Sequence, residues 1–288
     1  MMKDNENVGK ERPNEGSSEI QGEESIPDTD DDDILLFDEI ELEEEDTILY
    51  EDSEILAEGS IPFSIDVVFV IDCTAGVDRL LKRVKQQVLH FEDGLREFCE
   101  ERGYTYNSLR IRIIGFRDFY FDWMDPDHPP IEASSFFNIP EQQEELAAFL
   151  DRLKCTGGED EPESGLEALH LAFHSDWKQP EEGARNRQIV VLVTESTAHP
   201  LNDPMRYDSE YNSHYPEGMP ESLDELQNEY NDPEVFPAKK GRRLILFAPE
   251  LWYSWSYLVD WYGTMIIDFK YGDDPDIVDM NIVYHCLI

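Results

Sequence analysis

From residue 65 onward two kinds of apolar pattern alternate along the chain. Short apolar-rich runs occupy Ile65–Ile71, Leu109–Phe116, Gln188–Thr194, Arg243–Ala248 and Thr264–Phe269. Runs of this length, with little polar interruption, predict strands covered on both faces, as in a parallel sheet. Between them lie helix-period segments. Val77, Leu81, Val84, Val88, Phe91, Leu95 and Phe98 step by fours and threes, which predicts one long amphipathic helix stopping at Gly103. Leu146, Phe149, Leu150 and Leu153 predict a helix over Glu141–Leu153, and Leu166, Leu169 and Phe173 predict another opened by Pro162. Glu221–Tyr230 and the aromatic-rich Trp252–Trp261 read as helices, and Phe136-Phe137 as part of a short edge strand. Residues 275–288 fit neither period, and no internal repeat is visible. Strands alternating with helices predict one three-layer, Rossmann-like α/β domain over residues 61–288, with a mainly parallel sheet.

Composition changes the picture for residues 1–60. This stretch holds 23 acidic and 3 basic side chains, nearly half of the net charge of −43 carried by the 288-residue chain. With so little apolar surface to bury, it is expected to be a mostly disordered acidic tail. Two apolar islands interrupt it, Ile34–Phe37 and Ile48–Tyr50, which suit docking motifs or a cover folded back over the domain; a plain solvated tail is the alternative. Charge of this sign repels phosphate backbones and anionic lipid, so nucleic acid and membrane surfaces are not expected partners. The four cysteines, Cys73, Cys99, Cys155 and Cys286, show no CxxC spacing. The opening residues lack a leader's apolar core, and no run approaches the roughly 20 residues of a spanning helix. These features predict a cytoplasmic protein with free thiols.

Candidate chemistry sits at strand ends. Val67–Ile71 stops abruptly at Asp72, followed by the small turn Cys73-Thr74-Ala75-Gly76. Asp160 lies in the Gly-rich acidic loop Cys155–Glu163, and Glu195 follows the strand Gln188–Thr194. Ligands of open α/β sheets bind at the carboxyl ends of strands. Asp72, Thr74, Asp160 and Glu195 would therefore share one edge, and hard oxygens from separate loops suit Mg²⁺, Mn²⁺ or Ca²⁺.

The stretch I-D-V-V-F-V-I-D-C-T-A-G resembles the opening of von Willebrand factor type A (VWA) domains, over about residues 64–270. Gly157-Gly158-Glu159-Asp160-Glu161-Pro162-Glu163 is similar to a G-G-x-D-x-P-E loop of bacterial members. Thr197–Pro200, Tyr215–Pro220 and Leu244–Pro249 are similar to the tellurite-resistance-type branch. The resemblance implies a metal-ion-dependent adhesion site that binds a partner protein. In that branch the setting is a stress response involving a protein kinase and a metal-dependent phosphatase. Two positions depart from the pattern: Gly76 stands where the family has Ser, and Glu195 where it has Asp. The site is thus either modified or degenerate. If Asp72, Asp160 and Glu195 all ligated directly, their formal −3 would over-neutralise a divalent ion and weaken its pull on an acidic ligand.

Plainer readings exist for each residue. Asp72 could cap the next helix, Asp160 and Glu163 could be favourable charges at a helix N-terminus, and Arg117-Asp118 could be an ion pair. Cys73 and Cys155 could form a soft-metal site with His199, but inert buried thiols are the stronger expectation. Trp252, Trp255 and Trp261 are expected in the core. No nucleophile elbow, P-loop, GxGxxG or HExxH is present. The expectation is a binding module and not an enzyme; the alternatives are a metal-free scaffold binding through its tail, and a metal-dependent hydrolase.

Overall fold

The computed structural model describes residues 61–288, apart from 121, 123–126, 159–160, 180–184, 205–214, 250–253 and 288. The expected tail over residues 1–60 and the expectations for Asp160 and Trp252 lie outside the described residues.

The first strand, β1 (Phe63–Asp72), is buried at every position, which is why its sequence reads as a nearly unbroken apolar run. It lies at the centre of a seven-stranded sheet. β2 (Tyr106–Phe116) and β5 (Arg185–Val193) flank it in parallel, and β6 (Arg242–Ala248) and β7 (Thr264–Asp268) continue outward, also parallel. Two short strands, β3 (Ile131–Ala133) and β4 (Phe137–Ile139), pair antiparallel with the outer side of β2. β4 is the edge strand expected near Phe136-Phe137; β3 was not expected.

Alternate residues of each strand face opposite layers. Ile65, Val67, Phe69 and Ile71 of β1 pack under α1 (Asp78–Leu89), α2 (Phe91–Arg102), α3 (Gln143–Arg152) and α6 (Met280–Leu287). Val68 and Val70 pack on the other side under α4 (Gly165–Phe173), with α5 (Leu223–Asn231) and Trp255, Leu258 and Trp261. Trp255 and Trp261 are therefore core residues, carried by and after a single 3₁₀ turn, Trp255–Leu258. No helix among the described residues is long and apolar enough to cross a membrane.

Three local expectations change. The long helix over Val77–Phe98 is two helices meeting at His90, whose φ of −102° and ψ of 10° break the α geometry while the apolar stripe runs on. Periodicity reports which face is buried, and a one-residue break between two helices barely disturbs it. Gly103 does end the second helix, in the left-handed conformation at φ 72°. Pro162 does not open α4, which begins at Gly165 after Glu163 has bridged to Ala198. Of residues 275–288, Pro275–Ile277 form a 3₁₀ turn and Met280–Leu287 form α6, whose Tyr284 donates a hydrogen bond to the Phe91 carbonyl (3.2 Å). Tyr284 fills the space a side chain at Gly94 would need, with its hydroxyl 2.5 Å from the Cβ position.

Candidate functional site

β1 delivers Asp72 to the carboxyl edge of the sheet. The Cys73 N–H bonds the Phe116 carbonyl (2.8 Å), so the chain leaves β1 beside the end of β2. The turn is then tied to the loop before α4: Thr156 N–H to the Cys73 carbonyl and Ala75 N–H to the Gly157 carbonyl, both 3.0 Å. Asp72 Oδ1 accepts from the Thr74 N–H (2.9 Å) and Thr74 hydroxyl (2.6 Å). Its Oδ2 accepts from the Thr194 hydroxyl (2.7 Å). Thr194 reaches it because β1 and β5 run in parallel register up to the pair Ile71 and Val193. Asp72 is fully buried, which pushes its pKa up; the bonds from Thr194 and Thr74 and the charge of Arg117 oppose that rise. It does not cap the next helix, where the N-cap position is Val77 and no side chain bonds the helix end.

A second carboxylate enters this edge through Gly158. At φ 62° it has no side chain, and the position its Cβ would take is 2.5 Å from Glu163 Oε1 and 2.8 Å from the Thr74 Cβ. Glu195 lies further out and half-buried. Burial and the charge of Asp72 raise its pKa, and a hydrogen bond from the Gly272 backbone opposes that rise. Of the four residues expected from sequence, Asp72 and Thr74 are in contact and Glu195 lies within electrostatic reach of Asp72. Asp160 is outside the described residues. Gly76, at φ 102°, has open space around its Cβ position.

Sequence reasoning missed most of the buried acid around these residues. Asp118 and Asp122 follow β2, and Glu163 and Glu167 bracket the start of α4; all four are buried. Asp122 accepts from the N–H groups of Asp118 (3.0 Å) and Gly158 (3.1 Å), and its carboxylate occupies the space a side chain at Gly157 would need. Asp118 Oδ1 accepts from the Tyr120 N–H (2.9 Å) and the Ser164 hydroxyl (3.3 Å), and lies 3.5 Å from His199 Nε2. Glu167 accepts from the Tyr215 hydroxyl (2.6 Å). Burial raises the pKa of Asp122 and Glu167. Burial disfavours charge on His199, but Asp118, Glu167 and Asp203 outweigh it and raise its pKa. The expected Arg117–Asp118 pair is not formed: Arg117 bonds Glu132 (2.9 Å) and the carbonyls of Pro129 (2.8 Å) and Lys154 (2.7 Å). Two carboxylates four apart after a strand, and a Thr closing the β5 run, were the available cues.

The residues present fit a hard divalent cation. The donors at the Asp72 turn are all oxygens, the carboxylates are buried, and Gly158, having no side chain, lets Glu163 Oε1 and Thr74 come close to each other. Asp72 and Thr74 would hold such an ion, with Glu163 or Glu195 as second carboxylate. Among the described residues, no three His, Cys, Asp or Glu ligand atoms at this edge lie within 4.8 Å of one another; Asp160 is outside those residues, so they do not decide direct ligation by Asp72, Asp160 and Glu195 together. The soft-metal alternative has no support in the thiols. Burial raises both; Cys155 is pushed up to about 12, and Cys73 packs 3.1 Å from the Cβ position of Gly115.

No family model matches the chain. Over 135 residues it is 20% identical to the alpha-protein kinase vwkA of Dictyostelium discoideum, a match covering 47% of this chain and 19% of that protein. Among solved structures, the pilus adhesin SpaC from Lactobacillus rhamnosus GG in its open conformation aligns with TM-score 0.34 and 15% identity, over 48% of this chain and 15% of the adhesin. Proximal thread matrix protein 1 of the mussel byssus aligns with TM-score 0.37 and 10% identity, over 79% of this chain and 45% of that protein. At these values the alignments carry no functional conclusion.

Proposed function

We propose that this chain is a VWA-type protein-interaction module whose carboxyl edge holds Mg²⁺, Mn²⁺ or Ca²⁺ and captures a partner protein. The observation that supports the reading is the buried acid of that edge. Asp72, Asp118, Asp122, Glu163 and Glu167 are all buried there; among the described residues, the buried guanidinium at this edge, Arg117, is taken up by Glu132 and two carbonyls, and His199 faces Asp118 and Glu167. Buried charge is normally paired or metal-bound. A cation held by Asp72 and Thr74 would supply the missing positive charge and an electrophilic point for a partner's carboxylate. A protein kinase or a metal-dependent phosphatase is the partner class the family resemblance suggests, in a bacterial stress-response setting. The activity proposed is binding in the cytoplasm, without catalysis.

One observation favours a second reading, a metal-free scaffold that binds through its acidic tail. Both oxygens of Asp72 already accept hydrogen bonds, from Thr74 and Thr194, and Glu195 is drawn to Gly272. Calorimetric titration of Mg²⁺, Mn²⁺ and Ca²⁺ into the metal-stripped chain separates the two. Saturable binding that Asp72→Ala abolishes supports the metal-bearing edge. No saturable binding moves partner capture to the tail.

A further inference from the structure

On the face of the sheet covered by α4 and α5, away from the carboxyl edge, three side chains converge that the proposed function does not use. His170 and His174 are one turn apart at the end of α4, the spacing that places two side chains on one helix face. The His174 N–H bonds the His170 carbonyl (3.1 Å), so the turn carrying them is closed, and their rings lie 4.5 Å apart between centroids. Glu229 reaches across from α5. Its Oε2 is 2.7 Å from His170 Nδ1 and 3.6 Å from His174 Nε2. Among the described residues this is the one group of three His, Cys, Asp or Glu ligand atoms lying within 4.8 Å of one another.

From this geometry we propose that His170, His174 and Glu229 form a zinc-type site that clamps α4 to α5. Two imidazole nitrogens and one carboxylate oxygen are a three-ligand Zn²⁺ set, with a fourth tetrahedral position left for water or a partner's ligand. Two of the three donor pairs are near the spacing a metal needs, and the third, between the two histidines, lies within 4.8 Å. Tetrahedral ligands at Zn–N and Zn–O distances of about 2.0–2.1 Å stand about 3.3 Å apart. The His174–Glu229 distance of 3.6 Å is already close to that, and the His170–Glu229 distance of 2.7 Å must open by a fraction of an ångström. Burial grades across the set. The His170 side chain is 11% exposed, Glu229 22% and His174 41%, so a metal enters from the His174 side and its open position faces solvent. Imidazole selects against Mg²⁺ and Ca²⁺, so this site and the all-oxygen edge take different metals. The clamp also has leverage on that edge, because α4 opens beside Glu163 and Glu167 and its nine residues span about 13 Å to the histidines.

The test is titration of Zn²⁺ into the full-length chain, stripped of metal and held in excess Mg²⁺, with a parallel Co²⁺ spectrum. One equivalent should bind, raise the unfolding temperature, and give the visible bands of tetrahedral cobalt without a thiolate charge-transfer band. His174→Ala, at the most exposed ligand, and the shape-conserving Glu229→Gln should keep the native circular dichroism. Each should weaken binding by more than the roughly 10–100-fold typical of losing an outer-shell partner. Zinc binding left unchanged by both variants, a thiolate band with cobalt, or no saturable equivalent would each overturn the proposal. Loss of zinc binding leaves the Mg²⁺ titration of the Asp72 edge intact, so the two readings fail independently.

Discussion

The two ends of the sheet handle buried charge in opposite ways. At the amino end, Asp66 on β1 faces Arg110 on β2 through two bonds of 2.7 and 2.6 Å, and its second oxygen also accepts the Lys178 N–H (2.8 Å). Gln188 donates to the Lys178 carbonyl and accepts from the Ala238 N–H, both 2.7 Å. Arg112 donates to Ser175 (2.6 Å) and to the Ser134 carbonyl (2.9 Å). Charge faces charge at Asp66–Arg110, while Gln188 and Arg112 are met by neutral hydrogen-bonding groups. At the carboxyl end, Asp72, Asp118, Asp122, Glu163 and Glu167 are met by His199, which faces Asp118 and Glu167, and by Arg117, which is taken up by Glu132 and carbonyls; Asp118 Oδ2 has no hydrogen-bond partner among the described residues. A buried pair that is closed on itself serves the fold. A buried surplus of one sign raises the energy of the edge and leaves it able to gain from an added cation.

The largest expected effect tests the closed end. Arg110→Ala leaves Asp66, 2% exposed, without its counter-charge and should cost about 3–5 kcal/mol in urea unfolding. A loss below 1 kcal/mol would mean that the two ends do not differ in this way. Asp72→Asn should do the reverse in metal-free buffer, with little or no loss, because it removes a charge that burial already disfavours. The open end also predicts metal-dependent stability. Mg²⁺ at 100 times its dissociation constant should add about 2.7 kcal/mol to the native chain and nothing to Asp72→Asn.

The pH dependence sharpens the same contrast. Asp122 and Glu167 have folded pKa values raised above 3.8 and 4.5, and His199 above 6.5. The folded chain therefore binds more protons than the unfolded one above these ordinary values, and stability falls as pH rises through the folded values. Their contributions are most favourable below about pH 4 for the carboxylates and below about pH 6.5 for His199. Each group in transit contributes a slope of up to about 1.4 kcal/mol per pH unit. Thermal unfolding of the metal-free chain should show higher stability near pH 5 than near pH 8, and His199→Gln should flatten the upper part of that slope.

The smallest effect concerns the missing hydroxyl. Gly76→Ser has room, but at φ 102° a side chain strains the backbone and should cost about 1–2 kcal/mol by chemical denaturation. If the variant were neutral, Gly76 would be a free position and its departure from the family pattern would have no conformational cause.

The legible parts of the site were those carried by one strand and its own turn. Asp72 and Thr74 are two residues apart, and the abrupt end of an apolar run was enough to place them together at the edge. Thr194 was legible only as the residue closing an apolar run; its contact with Asp72, 122 residues away in sequence, depends on the parallel register of β1 with β5. Glu163 was read only as a charge near a helix start. Its approach to Thr74 follows from two consecutive positive-φ glycines, Gly157 and Gly158, which turn the loop back over the strand end. The break at His90 was also hidden, since the apolar stripe that reports the buried face is continuous across it.

Sequence alone determined the class of this protein: an α/β domain built around a central apolar strand, with hard-oxygen donors at that strand's end and a very acidic chain overall. Those properties are local, set by periodicities of two and 3.6 residues and by which side chains can leave water. Tertiary structure decided which carboxylates share the edge and which Arg answers which acid. It also brought Glu229 to the two histidines of α4. Each of these depends on strand register and helix packing between distant segments, for which the linear pattern carries no direct record.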